Sequence, residues 1–277
     1  MIPAAFSYVR ADSVDDAIAL LAEHGDDAKL LAGGHSLLPL MKLRLATPSV
    51  LIDVGRLAEL SYVREEDGEV AIGGLTRHHD VATSSLLHEH VPILSAAAGE
   101  VGDPQVRHRG TFGGSLAHGD PASDLPAVLL ALSGTVVATG PSGERRIAAN
   151  DFFRGFLETA LEPHEIITEV RVPKMGGAGW AFEKFNRRAQ DWAIVGVAAV
   201  GGASPAVALV NMGSTPLRAS AVEAALAAGA SPADAAATAA EGTAPPADIN
   251  ATSEFRSHLA RVLVGRALAT VAETKSR

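Results

Sequence analysis

Apolar residues recur along the first part of the chain at helical and then at strand-like spacing. Val14, Ala17, Ile18 and Leu21 fall on one face of a helix, with Ser13 and Asp16 placed as a capping box and Gly25 as a stop. Short apolar runs follow. "AKLLAG", "SVLIDVG" and "EVAIGG" read as strands, the last leading through Thr76, a candidate N-cap, into "TRHHDVATS". Val91 to Glu100 reads as a helix after Pro92, and "LPAVLLAL" as another. The stretch between them, "VGDPQVRHRGTFGGSLAHGDPASD", lacks periodicity and is rich in glycine and polar residues, which predicts a long binding loop. "TVVATG" and "ERRIAA" form a predicted hairpin around "PSG", and "EIITEVRVP" is a strand ending at Pro173.

"KMGGAG" places three glycines in six residues and marks a predicted domain boundary. Beyond it, "WAFEKFNRR", "AIVGVAAV" and "AVALVNMG" read as three successive strands. "SAVEAALAAG", "SPADAAATAAEG" and "SEFRSHLARVLVGRALATVAE" read as helices. Strands followed by helices predict an α+β module. The expected units are residues 1–174 and 179–277.

Composition narrows the function classes. At 277 residues and 47% hydrophobic, the chain can bury a sizeable core. A formal charge of -9 argues against a general nucleic-acid partner. There are no cysteines, which excludes disulfides, thiolate zinc sites and cysteine-ligated iron–sulfur clusters in this chain. Electrons that pass through such clusters would have to come from another chain. No apolar run is long enough to span a bilayer, and "MIPAAFSYVR" lacks the charged start and apolar core of a signal peptide, so the expected location is cytoplasmic.

Two glycine pairs carry candidate chemistry: "AGGHS" at 32–36 and "TFGGS" at 111–115. Without a Cβ, such a backbone can approach a ligand closely and turn N–H groups toward a phosphate. Two such segments could hold a pyrophosphate between them, with Ser36, Thr111 and Ser115 adding hydroxyls. Each alone is equally a tight turn. Neither is a P-loop or a G-x-G-x-x-G motif.

"LAGGHSLLPLMKLRLATPSVLIDVGRL", "GGLTRHHDV", "DPQVRHRGTFGGSLAHGDPASDLPA" and "NMGSTPLRA" together resemble the FAD-binding medium subunit of the molybdenum hydroxylase (xanthine dehydrogenase / carbon monoxide dehydrogenase) family. The resemblance runs over almost the whole chain. It implies an FAD-binding domain of the vanillyl-alcohol-oxidase type, with two α/β subdomains at about 1–55 and 56–174. It also implies a C-terminal domain of the carbon monoxide dehydrogenase flavoprotein type, with a three-stranded antiparallel sheet and helices. The implied complex is a dimer of heterotrimers, a heterohexamer. A large subunit holds molybdopterin, a small subunit holds [2Fe–2S] clusters, and noncovalent FAD on this chain passes electrons to an external acceptor (quinone, NAD or oxygen). Association with the inner face of the membrane would run through the partners. The alternative is a self-sufficient FAD-dependent oxidase or dehydrogenase of a small organic substrate. A scaffold subunit without FAD is a third reading, against which the paired glycine segments argue.

The resemblance carries cofactor contacts onto Ala32, Gly33, Gly34, His35, Ser36 and Leu37, and onto Thr111, Phe112, Gly113, Gly114 and Ser115. Many relatives have Ile or Leu at Phe112 and Asn at Ser115. It also implies contacts at Asp124, Ile167, Lys184 and Trp192. From sequence alone, Asp124 also reads as an N-cap, Ile167 as a core strand residue, Lys184 as a solvent-facing lysine and Trp192 as a core tryptophan. No catalytic residue and no metal ligand is expected. His78-His79 and "HEH" at 88–90 read as solvated faces.

Overall fold

The computed structural model describes residues 2–274, so the last three residues of the expected 179–277 unit lie outside it. The chain opens with a parallel three-stranded sheet. β1 (Ser7–Arg10), α1 (Val14–His24), β2 (Ala28–Leu31), α2 (Leu37–Lys42) and β3 (Val50–Asp53) assemble in the order β1-β3-β2. Ala17, Ile18 and Leu21 bury against Ile52 and Val54, as the periodicity predicts. Ser13 caps α1 by accepting from Asp16 N (3.0 Å), but the capping box is incomplete. Asp16 Oδ2 accepts from Asp12 N (2.9 Å), one residue before the position a box requires.

The next segment runs β4 (Val63–Glu66), β5 (Glu69–Gly73), α3 (His78–Thr83), α4 (Ser85–His90), α5 (Pro92–Gly99), α6 (Pro104–Arg107), α7 (Phe112–His118) and α8 (Asp124–Ala131). It continues through β6 (Thr135–Gly140), β7 (Gly143–Ala148), α9 (Ala149–Phe152), β8 (Phe153–Gly155), β9 (Glu158–Thr159) and β10 (Ile166–Pro173). Five strands form an antiparallel sheet in the order β4-β5-β10-β6-β7, and β8 pairs with β9. β1 and β4 are mostly exposed edge strands. Without a buried face they show no apolar pattern in the sequence.

Two expectations fail in this region. The stretch predicted as a long loop carries α6 and α7, helices too short to display a period. Thr76 is not an N-cap. Its Oγ1 exchanges hydrogen bonds with the backbone of Tyr62 (2.9 and 3.1 Å), and Arg77 occupies the cap position of α3.

The final segment comprises β11 (Trp180–Phe185), β12 (Val195–Val200), β13 (Ala206–Val210), β14 (Leu217–Arg218), α10 (Ser220–Ala227), α11 (Pro232–Ala237) and α12 (Ser253–Thr274). The antiparallel sheet has four strands rather than the expected three. β14 pairs Leu217 and Arg218 with Leu209 and Ala208, and two residues are too few to register as a pattern.

β12 and β13 are unbroken apolar runs because both faces of their sheet are covered. Val197, Ala199, Val207 and Leu209 pack with Leu263, Val264 and Ala267 of α12. Ala198, Ala208 and Val210 join the core that contains α8, a helix whose eight residues are all buried. A helix apolar on every side sits between two covering layers. One core therefore runs across the glycine-rich junction and holds the first residue of α8, Asp124, against β11.

Candidate functional site

The two glycine segments differ in what they do. Residues 32–36 connect β2 to α2. Residues 111–115 are not a loop: Thr111 is the N-cap of α7, and Phe112 to Ser115 form its first turn. Thr111 Oγ1 accepts from Gly114 N (3.2 Å).

Each segment packs tightly on backbone elsewhere in the chain. A Cβ on Gly33 would overlap Arg109 O and come within 2.8 Å of Gly110 Cα, while one on Gly113 would stand 2.6 Å from Gly74 O. Any side chain there would drive the elements apart. These two glycines are needed for packing between backbone segments.

Hydrogen-bond accounting separates the two further. The N–H groups of Phe112, Gly113 and Ser115 donate to Thr76 O, Gly74 O and Thr111 O at 2.9–3.0 Å. The second segment therefore has few donors left, against the expectation of two equal backbone grips. In the first segment, the N–H groups of Gly33 to Leu37 find no acceptor among the described residues. The ladder resumes only at Leu38 N→Gly34 O (3.0 Å). Gly34 has φ +75°. Consecutive unpaired N–H groups around a left-handed residue form an anion-binding nest. His35 is exposed and folds back, with Nδ1 3.1 Å from Gly33 O.

A cleft of about 610 Å³ opens beside the nest. Fourteen of the fifteen expected contact residues line it: Ala32, Gly33, Gly34, His35, Ser36, Leu37, Thr111, Gly113, Gly114, Ser115, Asp124, Ile167, Lys184 and Trp192. The exception is Phe112. Its position on α7 turns the ring into the core together with Leu116, and it is fully buried away from the cleft.

The cleft lining also holds an ion pair from two segments of the chain. Lys184 Nζ of β11 lies 2.7 Å from Asp124 Oδ2 and donates to Glu100 O at 2.9 Å. The side chains are only 4% and 6% exposed, so Lys184 is not solvent-facing. Asp124 is the first residue of α8 rather than its cap, which is Ser123. Burial pushes its carboxyl up to about 6, more than the Lys184 charge draws it down. Asp124 Oδ1 is sealed with no partner among the described residues.

Ile167 is a buried residue of β10 next to a register shift, and Thr168 O accepts from Gly74 N (2.8 Å). Trp192 is 56% exposed at the edge of the cleft, not a core residue. The loop that carries it is braced by Arg188 Nε, 3.1 Å from both Asp191 oxygens, and by Asn211 Nδ2→Ala193 O (2.8 Å).

Sequence reasoning missed Gly74, Gly110, His78 and His118, which also line the cleft. Gly74 and Gly110 stand in plain view as glycines before "LTRHHDV" and "TFGG", but only the backbone contacts reveal their purpose. His78 is not on a solvated face: it is buried, and burial pushes its imidazole down to about 4. Burial likewise pushes His118 down. His79 stacks on His108 with ring centroids 4.1 Å apart. His88, on the "HEH" stretch, is exposed. No metal-binding cluster of three or more His, Cys, Asp or Glu occurs among the described residues.

The donor set fits a flavin dinucleotide. The nest of free N–H groups suits a pyrophosphate, and the unpartnered Asp124 oxygen suits an N–H or hydroxyl donor of the flavin and its ribityl chain.

Comparison with known proteins agrees. Residues 4–175 match the family described as the FAD binding domain in molybdopterin dehydrogenase. Residues 180–271 match the CO dehydrogenase flavoprotein C-terminal domain. The chain is 47% identical over 225 residues to the carbon monoxide dehydrogenase medium chain of Hydrogenophaga pseudoflava, covering 79% of this chain and 78% of that one. It is 41% identical over 281 residues to the 6-hydroxypseudooxynicotine dehydrogenase complex subunit alpha of Paenarthrobacter nicotinovorans, covering 97% and 95%. A solved carbon monoxide dehydrogenase from Hydrogenophaga pseudoflava aligns with a TM-score of 0.96 at 43% identity, over 99% of both chains. With a nest, a cleft and a buried acid suited to the flavin dinucleotide, and both family models matched in succession, the chain belongs to the FAD-binding medium subunits of the molybdenum hydroxylases, subunits of FAD-dependent oxidoreductases.

Proposed function

We propose that this chain is the electron-transfer flavoprotein of a molybdenum hydroxylase of the carbon monoxide dehydrogenase type. When bound, FAD supplies the two-electron chemistry that links [2Fe–2S] clusters on a small partner subunit to an external acceptor. Substrate oxidation belongs to a molybdopterin-bearing large subunit, and the assembly is a dimer of heterotrimers. Quinone, NAD and oxygen are the candidate acceptors. The location is cytoplasmic, with any contact to the inner face of the membrane made through partners. No helix among the described residues is long and apolar enough to cross a membrane.

The chain's residues bind, orient and tune. Gly33 to Leu37 hold the phosphates through their free N–H groups, and Ser36, Thr111 and Ser115 add hydroxyls from the cleft lining. Asp124 accepts from the flavin or ribityl donors. Lys184 keeps Asp124 in place and brings a buried positive charge to the cleft wall, which favours an electron-rich flavin. Trp192 covers the open edge of the cleft. Ile167 contributes apolar wall and Gly34 the turn of the nest. His35 belongs to the phosphate loop, and the flavin is noncovalent. The fold of residues 1–174 is of the vanillyl-alcohol-oxidase type, divided at about residue 55, and the second domain starts at about 179.

The observation that carries this reading is the meeting of fourteen expected contact residues, from distant parts of the chain, in one cleft. The self-sufficient oxidase is less well supported. Its relatives are named as chains and subunits of larger dehydrogenases. Purification from the native host is expected to give a complex with FAD, molybdenum, iron and two further chains. A lone yellow chain that oxidises an organic substrate would defeat the proposal.

A further inference from the structure

His78 is a buried polar residue of the cleft for which the cofactor contacts above give no use. It is the first residue of α3, its N–H donates to Gly110 O (3.0 Å), and its side chain is sealed to 5% exposure. The imidazole lies over Gly110: a Cβ there would stand 2.7 Å from its Cδ2 and 2.9 Å from its Nε2. Gly110 is also the residue against which Gly33 packs. The ring is therefore one backbone thickness from the nest.

Its two nitrogens differ. Nδ1 is fully sealed and has no partner, whereas Nε2 is not among the sealed unpartnered atoms and makes no hydrogen bond among the described residues. A buried N–H without an acceptor costs more than a bare lone pair without a donor, which places the proton on Nε2. Burial above all, with the neighbouring Arg77 and Arg107 charges, keeps the ring uncharged at neutral pH. A second proton on the ring is thus disfavoured, and the residue offers one fixed donor.

We propose that His78 is a further cofactor-binding residue, whose Nε2–H donates to the phosphate groups held by the Gly33–Leu37 nest. This rests on the FAD-binding reading above. The side chain adds to a nest made otherwise of backbone, at the point where the second segment has few N–H groups left to give. It also explains why a histidine is buried here with an orphaned nitrogen: the orientation that seals Nδ1 is the one that leaves Nε2 for the ligand.

The test uses the full chain stripped of flavin, titrated with FAD and with riboflavin, which lacks the phosphates, and followed by flavin fluorescence. His78→Phe is expected to weaken FAD about tenfold, the worth of one hydrogen bond to a charged group, with riboflavin unchanged. His78→Gln, whose amide nitrogen reaches the Nε2 position, is expected to stay within about threefold of the original chain. His78→Asn, which reaches only as far as Nδ1, should resemble Phe. In ¹⁵N-histidine spectra of the stripped chain, His78 is expected as the Nε2–H tautomer. Undiminished FAD binding by His78→Phe would overturn the proposal, as would equal proportional loss of FAD and riboflavin in all three variants, which marks a packing role. Failure of the unsubstituted chain to bind FAD would instead defeat the functional reading itself.

Discussion

Lys184 Nζ and Asp124 Oδ2 lie 2.7 Å apart, sixty residues apart in sequence, with both side chains almost wholly buried in the wall of the cleft. One comes from the β11-β12-β13-β14 sheet and the other from the start of α8. Lys184→Met should leave a buried carboxylate without its counter-charge, costing about 3–5 kcal/mol in urea unfolding. Lys184→Met combined with Asp124→Leu should recover much of that loss while still failing to retain flavin. A single variant with unchanged stability would show that the pair carries no buried charge.

The Asp124 carboxyl also sets a pH dependence. Its folded value is raised, to about 6, above the ordinary aspartate value of 3.8. Between those values the folded chain binds more protons than the unfolded one, so stability falls as pH rises. The contribution is fully present below about 4 and lost above about 6. Asp124→Asn removes this effect. The stability difference, Asn variant minus original, should therefore grow as pH rises from 4 to 6.5, and a flat difference would contradict the raised value.

Gly33→Ala should damage both packing and ligand binding, because its Cβ would overlap Arg109 O. We expect loss of about 2–3 kcal/mol of stability and at least tenfold weaker FAD binding. Gly25→Ala serves as the control: Gly25 has positive φ, unlike Gly33, but a Cβ there meets nothing. It should cost only about 1 kcal/mol and leave FAD binding intact.

Trp192→Ala should change stability by no more than about 0.5 kcal/mol, since the ring is half-exposed and outside the core. Its effect belongs to the cofactor: iodide should quench bound flavin more strongly in the variant. Equal quenching would remove the covering role.

The proposed noncovalent attachment has a direct check. Acid precipitation should release all flavin into the supernatant. Flavin retained in the pellet and lost in His35→Ala would identify a covalent bond at His35.

Much of this protein was legible before folding was considered. Elements with one buried face declared themselves by period, as α1 did. β12 and β13 declared themselves as unbroken apolar runs, because α12 covers one face of their sheet and α8 the other. Edge strands β1 and β4, the two-residue β14 and the short helices α6 and α7 did not, since too few positions are buried in each to leave a pattern. The motif places Phe112 beside the site, and helical geometry sends its ring to the core instead.

By itself, the sequence determined the family resemblance, the paired glycine segments and the need for cysteine-ligated clusters to lie on another chain. These depend on residue type and spacing, which a linear chain already contains. Only the tertiary structure decided which glycine segment keeps its N–H groups free, that Lys184 is buried against Asp124, and that His78 belongs to the cleft. Those properties arise from competition: a donor is free only if no neighbouring carbonyl takes it, and a charge is buried only if distant elements close over it. That competition is settled among residues far apart in the chain, so no local pattern records its outcome.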